Sequence, residues 1–179
     1  MRACIEIEAN LKAILTENNY QHSNKLTMRD YAKVEASHLL SEYEVKIPYW
    51  RGPNQIRSPF KALATQSSLP WYQAYNAAKH DRHTAFKEAK FDQLVEALCG
   101  LAVLLSAQFY NYSFTPGPGF LSVENADNGF EVCLGDFFGV KFPDWPDSEK
   151  YTFTYEEWSR IIASESDLFL FYPYPPQSR

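Results

Sequence analysis

The sequence predicts an α+β fold: about four helices over residues 1–110, followed by a β-hairpin-rich, aromatic extension over 111–179. Three observations predict it. Apolar residues recur at helical spacing through the first 110 positions. The composition changes after Tyr110, where Pro116-Gly117-Pro118-Gly119 forms a linker or wide turn. Beyond that, apolar and polar residues alternate with the period of a strand. A chain of 179 residues is one domain of ordinary size, long enough to bury a core without staples, so the extension is expected to pack on the helices as part of the same domain. An aromatic share of 16% excludes a disordered chain.

The first helix is expected over residues 3 to 18, where Cys4, Ile7, Leu11, Ile14 and Leu15 form one stripe. No cap precedes it and the stripe begins at once, so either its start is frayed or, as expected here, the chain lacks an upstream element that would pack in front of it. The second is expected over 28 to 42, with Thr27 as N-cap, Asp30 completing a variant capping box, and Tyr31, Val34, His38 and Leu39 facing inward. Tyr43, Val45, Ile47 and Tyr49 then alternate with Glu44, Lys46 and Pro48, a short strand or extended arm, before a turn at Arg51-Gly52-Pro53-Asn54. The third helix is expected over 69 to 90, opened by Ser68 and Pro70. Trp71, Tyr75, Ala78, Ala85, Phe86 and Ala89 form its apolar stripe; Asn76, Lys79, His80 and His83 form a second, polar one. Asp92 caps a fourth helix running to about Tyr110, with Leu94, Leu98, Leu101 and Leu105 as its main stripe, widened by Val95, Ala102 and Phe109. This most apolar helix is expected at the centre.

In the extension, Phe130, Val132 and Leu134 alternate, Gly135-Asp136 turns, and Phe138, Val140 and Phe142 alternate again, which predicts a hairpin. Tyr151, Phe153 and Tyr155 continue the alternation, one or two helical turns are expected within 156 to 162, and Tyr172-Pro173-Tyr174-Pro175-Pro176 excludes helix. Phe120, Phe137, Phe138, Trp145, Trp158, Phe169 and Phe171 are more aromatic surface than a small hairpin hides; they are expected to cover the helical core or to offer an interface.

Composition removes several function classes. Cys4, Cys99 and Cys133 show no CxxC or Cys/His spacing, and Cys99 has no adjacent base, so buried reduced thiols are expected. Met1-Arg2-Ala3-Cys4 runs straight into a charged amphipathic pattern, which predicts no secretory leader and a cytoplasmic location. The longest apolar stretch, Leu94 to Ala107, is interrupted by Glu96 and too short for a membrane span. No phosphate-binding loop or serine nucleophile elbow is present. His80 and His83 have no third ligand of matching character, so no metal and no other cofactor is expected. A formal net charge of -5 disfavours broad nucleic-acid affinity except through a local basic patch, for which Lys79, Arg82, Lys87 and Lys90 are the candidates.

The segment WYQAYNAAKHDR, residues 71 to 82, concentrates chemistry. A solvated outer face explains a polar stripe, but such faces usually carry Glu, Lys and Gln. Here Asn76 and His80 stand one turn apart, with Lys79 between them and Arg82 just beyond. Imidazole titrates near neutral pH and the cations hold an anion. The stretch resembles the signature of HEPN-like proteins, helical domains found in RNases, toxins and antiphage systems, whose motif is Arg, often followed by Asn or another polar residue, then His after a four- to six-residue gap. Asn76 and His80 match the polar residue and the His; Tyr75 stands in the Arg position. YNAAKHDR, the capped apolar helix after it and the opening ACIEIEANLKAIL are similar to an uncharacterised bacterial subgroup, so the resemblance spans about residues 3 to 110.

The resemblance implies an up-down helical bundle that pairs as a homodimer, with a composite site for metal-independent RNA cleavage between protomers. It implies His80 as the base, Lys79 or Arg82 in place of the missing Arg at the phosphate, and Asn76 bonding the His or the substrate. Tyr75 and His83 fall to substrate contact. RNA is the implied partner, with no membrane. The Tyr at the Arg position equally implies an inactive HEPN-like dimer that binds or scaffolds in a defence or stress system.

Overall fold

The computed structural model describes residues 2–81, 84, 86–109, 129–133, 137–146, 159–160, 163 and 171–177. The first helix, α1, spans Arg2–Glu17 and buries the stripe its spacing dictates: Cys4, Ile7, Leu11, Ile14 and Leu15. Asn19 ends it in the left-handed region at φ 55°, and the Tyr20 amide donates back to the Leu15 carbonyl at 2.9 Å.

The second helical segment departs from the expected single helix. It is broken into α2 (Met28–Tyr31), a 3-10 turn (Ala32–Val34), α3 (Glu35–His38) and a second 3-10 turn (Leu40–Glu42). The start follows the expectation: the Thr27 amide and hydroxyl both donate to Asp30 Oδ2 at 2.8 Å. The end does not. Glu35 accepts the Ser41 amide at 2.9 Å and the Ser41 hydroxyl at 2.6 Å, drawing the chain back on itself. Leu39 takes the left-handed conformation at φ 48°, ψ 40°, and Leu40 enters the core in its place. A side-chain acceptor here outcompetes the helix ladder.

Four short strands make one antiparallel sheet among the described residues: β1 (Glu44–Lys46), β2 (Ile56–Arg57), β3 (Glu131–Cys133) and β4 (Phe138–Lys141), in the order β2-β1-β4-β3. β1 is shorter than the alternation over 43 to 49 suggested. The two strands of the expected hairpin pair, with Val132 opposite Gly139, while Leu134 and the Gly135-Asp136 turn lie outside the described residues; β4 also pairs with β1 so that Val45 meets Val140. Both valines are fully buried beneath the helices. Phe138 and Phe142 pack on the core, the latter edge-on to Tyr43 at 5.4 Å, whereas Phe137 and Phe171 are exposed. Phe120, Trp158, Phe169 and the alternation at 151 to 155 lie outside the described residues. Of the turn expected within 156 to 162, Ser159 and Arg160 are described and helical.

The third helix, α4, is Pro70–His80, half the expected length. Leu69, not Ser68, is its N-cap and is fully buried, with Pro70 in the first turn. It stops because Asp81 leaves helical geometry (φ −136°, ψ 85°) and its carboxylate captures the Thr84 amide at 3.0 Å and the Thr84 hydroxyl. One 3-10 turn follows at Phe86–Glu88, and Ala89, expected on the apolar stripe, is exposed.

The last described long helix, α5 (Phe91–Phe109), is central as expected, packed by α1, α4 and both central strands. At 19 residues it is long and apolar enough to pass for a membrane span, against the expectation of too short a stretch, but it is the core helix of this fold. Its buried face is also not the expected leucine stripe. Val95, Ala97, Cys99, Gly100, Ala102, Val103, Leu104 and Ser106 are buried, while Leu94 and Leu98 are 42% and 39% exposed. The reason is close approach. A Cβ on Gly100 would stand 3.4 Å from Ile7 Cδ1, 3.5 Å from Trp71 Cζ2 and 3.6 Å from Phe60 Cζ, so the small side of the helix faces its neighbours.

The tail, extended as the prolines require, returns across α1 and α2. The Tyr172 amide donates to Asn18 Oδ1 at 2.7 Å, and Lys33 donates to the Pro175 and Pro176 carbonyls at 2.8 and 2.9 Å. Tyr174 is buried, and the Ser37 hydroxyl bonds both its hydroxyl and His38 Nδ1. Asp30 is the hub. Tyr20 donates to Oδ1 at 2.7 Å and Gln177 to Oδ2 at 3.2 Å, beside the two Thr27 bonds. Burial alone would raise the Asp30 pKa, but these hydrogen bonds outweigh it and pull it from 3.8 down to about 2.

Two outcomes follow for stability. The folded Asp30 pKa lies below the unfolded one, so its contribution is complete above about pH 4 and lost as pH falls towards 2. Asp30→Asn is expected to cost about 2 kcal/mol at pH 7. In urea titrations that gap from the wild type narrows between pH 4 and pH 2; a constant gap contradicts the assignment. At Gly100, alanine fits in van der Waals contact and gains about 1 kcal/mol of helix propensity, whereas Gly100→Leu overpacks the crossing and is expected to cost about 3 kcal/mol. Equal urea midpoints for the two variants rule out the close approach.

Candidate functional site

α4 is held by its buried face. The Trp71 indole N–H donates to the Pro59 carbonyl at 2.8 Å, and its ring meets Phe60 edge-on at 5.9 Å. Tyr72 donates to Glu8 Oε1 at 2.5 Å, tying α4 to α1. Burial, then Glu8, pushes the Tyr72 pKa above the ordinary tyrosine range, while a hydrogen bond with Asn76 works the other way. Full burial of a side chain the size of Trp71 is worth about 3 kcal/mol, and this anchoring fixes which residues α4 turns outward.

Those are Lys79 and His80, both exposed in the last turn, with Asn76 half-buried one turn earlier. The helix dipole favours cations at this end. His80 has no hydrogen-bond partner among the described residues, so no contact of that kind commits it to the fold. Lys87 and Lys90 are exposed further along the chain. Arg82 and His83 lie outside the described residues, and α4 ends before either.

Tyr75, one turn before Lys79 on the same side of the helix, turns inward from it. It is 5% exposed and packs against Tyr72 at 5.8 Å. The Lys79 ammonium is drawn over its ring, 5.2 Å from the centroid, and the neighbouring phenol raises the lysine pKa. Among the described residues the Tyr75 hydroxyl makes no hydrogen bond of ordinary geometry, and its interaction with Lys79 is what raises the lysine pKa. The position that carries Arg in the HEPN-like motif is therefore a core position here, turned away from His80. Neither Lys79 nor His80 lines the cavity between α1, α4 and α5 or the groove between α2, α3 and the 3-10 turn at Lys61–Thr65. The pair lies exposed at the end of α4.

Sequence reasoning missed one charged cluster. The Arg57 side chain, 3% exposed, bridges Asp92 at 2.7 Å and Glu96 at 2.9 Å. Its guanidinium lies 5.0 Å from the Trp50 ring, which in turn stacks on Phe91 at 6.2 Å. Burial alone would lower the Arg57 pKa, but the two carboxylates outweigh it and raise it. The i, i+4 carboxylates were the available signal, but Asp92 was assigned to capping. The cluster binds β2 to the start of α5; its role is architectural.

Among the described residues no group of three or more His, Cys, Asp and Glu side chains suits a metal ion. In comparisons with known proteins, no family model, no curated protein and no solved structure matches the chain.

The division of α4 into an inner and an outer face has a measurable consequence. His80→Ala and Lys79→Ala are each expected to change unfolding free energy by less than about 0.5 kcal/mol. Tyr75→Arg buries an unpaired guanidinium and is expected to cost about 3 kcal/mol or more. Thermal unfolding of the three variants checks this; a Tyr75→Arg protein as stable as the wild type places position 75 at the surface.

Proposed function

We propose that this chain is a HEPN-like cytoplasmic protein that engages RNA through the exposed last turn of α4. The observation that carries the reading is the pairing of Lys79 and His80 on a surface with Asn76 one turn behind, on a helix whose other faces are committed to the core. In this reading a phosphate sits at Lys79, reinforced by Arg82. His80 accepts the proton of the 2′-hydroxyl as its oxygen attacks phosphorus. The 5′-oxygen leaves and takes a proton from the His80 imidazolium of a second protomer, giving a 2′,3′-cyclic phosphate without a metal. A homodimer brings the two copies together, and the exposed Phe91, Leu94 and Leu98 of α5 supply apolar surface for it.

The burial of Tyr75 favours a second reading, an inactive dimer that binds or scaffolds in a defence or stress response. It lacks the arginine that stabilises the pentacoordinate phosphate, and oxyanion stabilisation is usually the largest single contribution to such a step.

Incubating purified protein with RNA in EDTA, beside His80→Ala, separates the two. Cleavage that persists in EDTA and falls by about a hundredfold or more in His80→Ala is the outcome expected of the enzyme. Cleavage equal in both proteins removes His80 from the chemistry. Binding without cleavage, by a folded dimer, supports the scaffold.

A further inference from the structure

The tail over residues 171–177 does not pack as a core element packs. Within it only Tyr174 is buried; Phe171, Tyr172, Pro173, Pro175 and Pro176 are exposed. What holds it is one anchor and a row of hydrogen bonds. The Tyr174 hydroxyl meets that of Ser37, and its ring stands edge-on to Tyr20 at 6.5 Å. Lys33 spends its ammonium on the Tyr20 hydroxyl at 2.7 Å and on the Pro175 and Pro176 carbonyls at 2.8 and 2.9 Å. Gln177 is read at both ends of its side-chain amide. Its Oε1 accepts the Ser23 and Asn24 amides at 3.3 and 3.0 Å, and its Nε2 donates to Asp30 Oδ2 at 3.2 Å. Its main-chain N–H donates to the Gln21 carbonyl at 3.0 Å. Each of these partners lies between residues 20 and 37, so one stretch of chain builds the whole seat.

One buried side chain, paired main-chain groups and a run of prolines are the anatomy of a bound linear peptide. The prolines keep the segment extended before it docks, so docking costs little chain entropy. A strap held by one anchor and largely exposed hydrogen bonds detaches locally at far less cost than the whole fold. The Ser37 and Tyr174 hydroxyls that meet are 137 positions apart, and none of these contacts requires seat and strap to share a chain. We propose that the seat is a recognition site for an extended Tyr-Pro-Pro-Gln segment, and that its partner in trans is the tail of a second copy. Every copy carries both halves, so a mutual exchange fills two seats at once and closes with two-fold symmetry. In a lone chain its own tail occupies the seat and holds it shut. The seat shares no residue with the surface of Lys79 and His80, so it stands or falls apart from the RNA reading.

The test uses full-length chains. Tyr174→Ala with Gln177→Ala leaves the seat intact and loosens the chain's own hold on it; Gln177→Ala alone serves if circular dichroism shows the pair unfolded. A fluorescein-labelled peptide of residues 171–179 is titrated into this chain and followed by anisotropy. Saturable binding is expected. Binding to the wild type is expected to be at least about tenfold weaker, because its own tail competes at an effective concentration in the millimolar range. Adding Lys33→Ala to the loosened chain is expected to weaken the peptide at least about tenfold as well, since it removes the two bonds to the proline carbonyls. Exchange between copies is read by labelling a Lys33→Ala chain, which keeps its tail but weakens its seat, and adding the loosened chain. Its anisotropy is expected to rise and to return when excess unlabelled peptide is added. A folded, loosened chain that does not bind the peptide overturns the proposal. So does equal binding by the wild type, or binding that survives Lys33→Ala. A rise that the peptide leaves in place belongs to another contact, such as a dimer through α5, and overturns the exchange, as does no rise at all.

Discussion

The close approach of neighbouring elements to α5 sets the rest of the structure. Ile7 of α1, Trp71 of α4 and Phe60 converge on Gly100, where a single added carbon would already touch all three. Helices that come this near need small residues at the crossing, and Ala97 and Gly100 provide them. With α5 so enclosed, β1 and β4 cover another part of it through Val45 and Val140. Arg57 then fixes its first turn against the sheet by holding Asp92 and Glu96. The orientation of α4 follows from the same contact, because Trp71 must point into the crossing. Lys79 and His80 are outward as a consequence.

Helices with strong apolar periodicity were legible in the sequence. α1 is where its stripe placed it, the two strands of the expected hairpin pair as β3 and β4, and the Thr27–Asp30 cap is made. What was not legible depended on competition between local hydrogen bonds and the helix ladder. Glu35 captures Ser41 and turns the chain at Leu39; Asp81 captures Thr84 and ends α4 at His80. In both places an acidic side chain looked compatible with a continuing helix. The leucine stripe of α5 misled for a different reason: size and burial parted company. Phe91, Leu94, Leu98 and Phe109 lie on the less crowded side, and the closest approach selected alanine and glycine, which carry little weight in a hydropathy pattern.

The candidate site was legible in part. The four-residue spacing of Asn76 and His80 put them on one side of a helix, and α4 keeps them there. Tyr75 was legible as part of the apolar stripe and was also assigned to substrate contact; only the first agrees with its burial. Arg57 gave no signal on its own, because its two partners lie 35 and 39 residues away. The tail was legible as non-helical, but its attachment through Lys33, Asp30 and Gln177 was not, since it depends on contacts spanning more than 140 positions.

His80 and His38 offer an internal comparison. His80 is exposed and has no hydrogen-bond partner among the described residues; His38 bonds Ser37, and burial pushes its pKa down to about 4. The most direct measurement is to follow both imidazole resonances by NMR while single-stranded RNA is titrated into the protein. Engagement of RNA at the end of α4 predicts that His80 shifts in a saturable way while His38 stays fixed. RNA that binds with His80 unmoved, or that does not bind at all, contradicts the account.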